Sequence, residues 1–176
     1  MAKRNLVRVY ISLTTLDPKL ARAMEPRAAT PIRRLQAIEE LAAAGVSVGV
    51  LTAPMIPGLN DHELPQLLAA AADAGARFAG YVTLRLPYQN KELFTQWLAE
   101  HFPLKREKVL ARIRAVREGD LNNAEFGSRM RGSGLFAEQI EKLFEVGCRK
   151  AGLNREPLEL STAAFRRPGG VQMELL

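Results

Sequence analysis

The chain has 176 residues, with 47% hydrophobic and 25% charged residues, enough for a single ordinary globular core. No apolar run approaches the roughly 20 residues a membrane helix needs, and a single cysteine, Cys148, excludes an internal disulfide and any site built from several cysteines. The net charge of +6 permits an anionic partner such as nucleic acid, and equally fits a solvated basic surface.

The N-terminal MAKRNLVRVYISL resembles a signal peptide only in its basic start, because the apolar part alternates with Arg8, Tyr10 and Ser12. Together with the lone cysteine this points to a cytoplasmic protein. Leu6–Thr14 alternates cleanly and predicts a strand, with Val7, Val9, Ile11 and Leu13 on one face and Arg8, Tyr10, Ser12 and Thr14 on the other. Asp17-Pro18 reads as an N-cap and first helical position, and Pro26 keeps that helix short. Thr30-Pro31 repeats the signal and opens a longer helix with Ile32, Leu35, Ile38 and Leu41 as its apolar face and Gly45 as its stop.

Val46–Asp61 is an apolar run that passes through two prolines and a glycine, the pattern of a buried parallel strand entering a loop. Asn60 or Asp61 is placed to cap the helix that follows, with Glu63 completing a capping box. Gly75 ends that helix. Phe78–Leu86 predicts a third strand, with Tyr81, Thr83 and Arg85 on one face and Val82, Leu84 and Leu86 on the other. Asn90 is placed to cap a helix with Leu93, Phe94, Trp97 and Leu98 as its stripe. Three strand–helix units with short links imply parallel strands. The polar faces of the first and third strands fit either a half-barrel interior lined for a polar ligand or an exposed edge.

Beyond Pro103 the sequence predicts a basic amphipathic helix over Leu104–Arg117, a loop over Gly119–Gly134 and a helix over Ala137–Ala151. The expected fold is α/β: residues 1–103 form a partial (β/α) barrel of about three parallel units, and residues 104–176 form a helical, loop-rich extension packed on it. His62 and His101 read as solvent-exposed, and Cys148 as a small apolar packing residue.

Three segments carry a family resemblance: ISLTTLDPKLARAMEPRAATPIRRLQAIEELAAAGVSVGV, APMIPGLND and GYVTLRLP, with FGSRMRGSG trailing. Together they resemble the later half of a radical S-adenosylmethionine (radical SAM) enzyme, in the branch of spore photoproduct lyase and its relatives. The resemblance implies S-adenosylmethionine and a [4Fe–4S] cluster held by a CxxxCxxC motif in the complete protein. That motif is absent here. The chain is therefore expected to begin near the fourth barrel strand and to be inactive alone, whether as a truncation, a mis-called gene start, a split-gene product or a degenerate homologue.

By the same resemblance, Ser12 and Thr14 would contact the ribose and Arg27 the methionine carboxylate. Pro54, Ile56, Gly58 and Asp61 occupy the fixed places of a GxIxGxxE motif, in which Ile56 would pack on the adenine. The sixth-strand backbone near Leu84–Leu86 would line the adenine's other side, with Arg85 facing inward. Arg129, Arg131, Arg166 and Arg167 are candidates for nucleic-acid phosphates, since the named relative works on DNA. The expected partners are a separate cluster-binding half, or a second copy through the unpaired edge of the first strand. The alternative reading is a non-catalytic binding module with a basic surface.

Overall fold

A computed structural model describes residues 2, 6–156 and 159–163. It is an α/β structure with one open sheet of three parallel strands in the order β1-β2-β3: β1 (Arg8–Ser12), β2 (Ser47–Met55) and β3 (Phe78–Thr83). The links are helical: α1 (Pro18–Met24) and α2 (Pro31–Ala43) precede β2, and α3 (Leu64–Asp73) precedes β3. Then follow α4 (Asn90–His101), α5 (Arg106–Val116) and α6 (Gly134–Ala151). Among the described residues no helix is long and apolar enough to cross a membrane.

The helix starts follow local chemistry. The Asp17 carboxylate accepts from Lys19 N at 2.8 Å, and Thr30 Oγ1 accepts from Arg33 N at 3.5 Å, each with a proline at the first turn. The expected caps on α3 and α4 are not found. Gln89, not Asn90, precedes α4 and makes no side-chain cap. Asn60 is drawn away from capping by tertiary partners described below. Ile32 and Leu93 are exposed despite their helical spacing: the buried stripe of α2 centres on Ile38, and that of α4 on Leu98, which packs against α5.

Register places Ile11, Val50 and Ala79 side by side, and Thr52 beside Tyr81, on one face of the sheet. This face is covered by helices; its core includes Leu13, Val48, Val50, Leu67, Leu68 and Phe144. α6 packs on α3 so closely that a Cβ on Gly147 would lie 2.6 Å from Leu68 Cδ1. The other face carries Arg8, Tyr10, Ser12, Gly49, Leu51, Phe78 and Gly80. Tyr10 lies flat over β2, where a Cβ on Gly49 would meet its ring at 2.7 Å. The polar face expected for β3 is overturned: Tyr81 is buried against Phe144, with ring centroids 4.8 Å apart, and Thr83 is buried too. The third strand ends at Thr83 rather than Leu86.

Each edge of the sheet is treated differently. Asn154 covers the start of β3, its amide exchanging hydrogen bonds with Ala79 N and O at 2.9 and 3.0 Å. Thr83 N donates to Met130 O at 2.9 Å. On the outer side of β1, Arg34 Nη1 donates to Ser12 O at 3.0 Å.

Candidate functional site

In parallel α/β sheets, ligands gather beyond the carboxyl ends of the strands. Here those ends are tied together by Asn60, which is fully buried. Its Oδ1 accepts from Ile56 N at 2.6 Å, and its Nδ2 donates to Thr14 O at 2.8 Å and Pro54 O at 3.0 Å. One side chain thus joins the ends of β1 and β2. Glu63 does a related job: its carboxylate accepts from Thr15 Oγ1 at 2.7 Å and Leu16 N at 2.8 Å, instead of closing a capping box. Asp61 pairs with Arg112 of α5 at 3.5 Å.

Two cavities flank this junction. The smaller, about 120 Å³, lies between the β1 end, α1 and α2. Thr14 lines it, buried, with its hydroxyl donating to Glu25 Oε2 at 3.1 Å. Arg34 closes it, donating to the same oxygen at 2.9 Å and to Ser12 O at 3.0 Å. The larger, an open cleft of about 350 Å³, lies between the β2 and β3 ends and α4. Its walls include Ile56, Leu84, Leu86, Phe94 and Trp97, with Arg85 among them.

The structure therefore brings Ile56 and Arg85 to one cleft and sets the other expected residues apart. Ser12 is exposed on the open face, its hydroxyl donating to Ala53 O at 3.3 Å. Arg27 is exposed in the turn after α1, and its neighbour Glu25 binds Arg34. Arg129 lies over the Phe126 ring at 5.1 Å, and Arg131 over the Tyr81 ring at 3.8 Å. Arg166 and Arg167 lie outside the described residues.

The sequence reading missed Arg117 altogether. It is 1% exposed at the end of α5. Its Nη2 donates to Thr83 O and Leu84 O at 3.0 and 2.7 Å, and its Nη1 to Ser128 O and Arg129 O at 3.3 and 2.9 Å. Burial holds its pKa below the usual guanidinium value, and the nearby charge of Arg85 adds to the effect. Asn122 Oδ1 accepts from Leu86 N at 3.1 Å. The stretch 84–86 that lines the cleft is thus held by the segment after α5 as well as by sheet pairing. A lone arginine ending a basic helix carries no sequence signal that separates it from its exposed neighbours.

An iron–sulfur cluster does not fit these residues. Cys148, the single cysteine, is buried in α6, where burial pushes its thiol up to about 11. Among the described residues no three His, Cys, Asp or Glu side chains are grouped to hold a metal ion.

Residues 1–71 match the family model of the Radical SAM superfamily. An uncharacterized protein of Mycobacterium tuberculosis is 38% identical over 99 residues, covering 55% of this chain and 29% of the relative. One from Mycobacterium bovis is similar to the same extent. An uncharacterized protein of Acidianus two-tailed virus is 37% identical over 77 residues, 41% of this chain and 26% of that protein. The chain thus spans less than a third of the length of these relatives. No solved structure matches it. Complete radical SAM proteins use S-adenosylmethionine and a [4Fe–4S] cluster, and the likeness to them here covers residues 1–71.

Proposed function

We propose that these residues form a later portion of a radical SAM enzyme, in the branch that resembles spore photoproduct lyase, and supply part of its S-adenosylmethionine site and its substrate cavity. Residues 1–103 are read as the barrel portion and residues 104–176 as its extension. The cluster would be held by a polypeptide segment other than these 176 residues, and the protein would work in the cytoplasm. The chemistry that the cofactor and cluster supply together is radical hydrogen abstraction. This chain's residues take no part in the electron transfer: they bind, orient and enclose.

The observation that carries the reading is the convergence of Ile56 and Arg85 on one cleft at the carboxyl ends of β2 and β3. Ile56 would offer the apolar wall for the adenine. Arg85 lines the cleft with its Nη1 against Met130 Sδ at 3.7 Å, and its guanidinium fork keeps donors for a ligand. Thr14 faces the neighbouring cavity and Ser12 the open face, so any ribose contact from them would need the ligand to span both, and the exposed Arg27 is placed to reach a carboxylate.

The test is calorimetric titration of the 176-residue chain with S-adenosylhomocysteine. Binding that weakens about tenfold or more in Ile56→Asp is the expected result. No binding by the parent chain would sink the nucleoside reading. The isolated chain should show no [4Fe–4S] absorbance after anaerobic reconstitution and no cofactor cleavage; either would overturn the assignment of the cluster to another segment.

A second reading, a nucleic-acid-binding module, draws on Phe126, which is 87% exposed beside Arg129. An exposed ring next to a guanidinium suits stacking of unpaired bases. Salt-dependent binding to single-stranded DNA that is lost in Arg129→Ala/Arg131→Ala would support it; no binding at low salt would end it.

A further inference from the structure

Several guanidiniums gather where the end of β3 meets the segment after α5, and they differ in what they touch. Arg117 donates to four backbone carbonyls. Arg131 lies over the Tyr81 ring at 3.8 Å, and Arg129 over the Phe126 ring at 5.1 Å. Arg85 has the weakest partner of the group. Its Nη1 donates to Met130 Sδ at 3.7 Å, and among the described residues no carboxylate pairs with it. A thioether sulfur is a weak acceptor. Burial first, and then the charge of Arg85, lowers the Arg117 pKa, so the two cations feel each other. A stronger acceptor at the Met130 sulfur would relieve both.

Met130 is placed to become that acceptor. It is 41% exposed, whereas Met55 is fully buried and Met24 half-buried. Its backbone oxygen, accepting from Thr83 N at 2.9 Å, carries the attachment of this segment to β3. Chemistry on the side chain leaves that attachment in place. Oxidation of a thioether gives a polar, chiral sulfoxide, and hydrogen bonds from an ionised donor are roughly twice as strong as neutral ones.

We propose that Met130 is a site of reversible oxidation to the sulfoxide, and that the added oxygen latches the Arg85 guanidinium to the segment after α5. The oxidant is a peroxide. The sulfur lone pair attacks one peroxide oxygen, the S–O bond forms and the O–O bond breaks. The proton of the transferred oxygen passes to the departing hydroxide, which leaves as water. Sulfur is oxidised by two electrons and the peroxide is reduced by two. Only the sulfoxide epimer whose oxygen faces Nη1 closes the latch. The latch withdraws a donor that Arg85 otherwise presents at the cleft, whatever the cleft binds.

The test reads the guanidinium itself. The full chain is treated with graded hydrogen peroxide and its peptides are mapped by mass spectrometry. Met130 should gain one oxygen about tenfold or more faster than the buried Met55, and faster than Met24. Arginine labelling with phenylglyoxal follows, with the exposed Arg27 as reference. Labelling of Arg85 should slow about threefold or more in the sulfoxide form, and reduction of the sulfoxide should restore it. Met130→Leu should label at one rate with or without peroxide. In Met130→Gln the amide oxygen stands in for the sulfoxide, so slow labelling is expected without peroxide, and this supports the latch even if the leucine variant fails to fold. The proposal is overturned if Met130 oxidises no faster than Met24, if its oxidation leaves the Arg85 rate unchanged, or if Met130→Leu shows the same slowing with peroxide.

Discussion

Arg117 shows how one buried charge can organise a site that it does not line. Its guanidinium donates to four carbonyls from two separate stretches, Thr83–Leu84 and Ser128–Arg129. Arg117→Ala would strand those carbonyls in a dry place, at a cost of roughly 3–5 kcal/mol, comparable to breaking a buried ionic contact. Urea unfolding should show a lower midpoint, and hydrogen exchange at Leu84–Leu86 should accelerate more than elsewhere. Arg117→Lys, with three donors and no fork, should recover only part of the loss. Cys148 makes a pH prediction. Its folded pKa, about 11, lies above the ordinary thiol value, so the protonated thiol contributes stability that is fully present below about pH 8.5. That stability is lost as the pH rises toward 11, by roughly 2–3 kcal/mol. The buried Tyr81, its phenol also pushed up, acts with the same sign. Cys148→Ala should flatten the alkaline fall in melting temperature without abolishing it.

The elements show where local signals prevail and where they yield. Asp17-Pro18 and Thr30-Pro31 start α1 and α2 as their chemistry requires, because nothing else competes for those side chains. Asn60 carries the same local signal and does something different. The ends of β1 and β2 leave Ile56 N, Thr14 O and Pro54 O in need of partners away from water, and one amide satisfies all three. Asn60→Ala should therefore destabilise by roughly 2–4 kcal/mol, well above the ~1 kcal/mol of a lost helix cap. Asn60→Asp should be nearly as harmful, since a carboxylate cannot donate to the two carbonyls. Chemical denaturation of the three proteins, read by circular dichroism, distinguishes a strand-end tie from a cap. β3 illustrates the opposite limit. Its alternation is legible, but alternation does not say which face the helices cover. Packing of α6 through Phe144 on Tyr81 decided that.

The whole molecule is an open sheet with unequal edges. Asn154, Met130 and Arg131 cover β3, the last accepting from Thr83 Oγ1 at 2.7 Å, whereas at β1 Arg34 holds the last carbonyl, Ser12 O. Tyr10, 43% exposed, adds an apolar surface beside that edge. Exposed edges and apolar patches favour self-association. Light scattering should show a mass that rises with concentration, and Tyr10→Lys should reduce the rise; a concentration-independent monomer would refute this.

The sequence by itself determined the strand–helix alternation, the parallel order it implies, the first two helix caps, the burial of Cys148 and the likeness to radical SAM proteins. All of these are written in period, punctuation and composition over short spans. Only the tertiary structure decided that Ile56 and Arg85 share a cleft while Thr14 faces a different cavity, that Glu25 binds Arg34, and that Arg117 is buried. Those outcomes depend on which distant backbone groups are left without partners once the sheet has formed. The chain meets that need with whichever side chain can reach, regardless of its local signal.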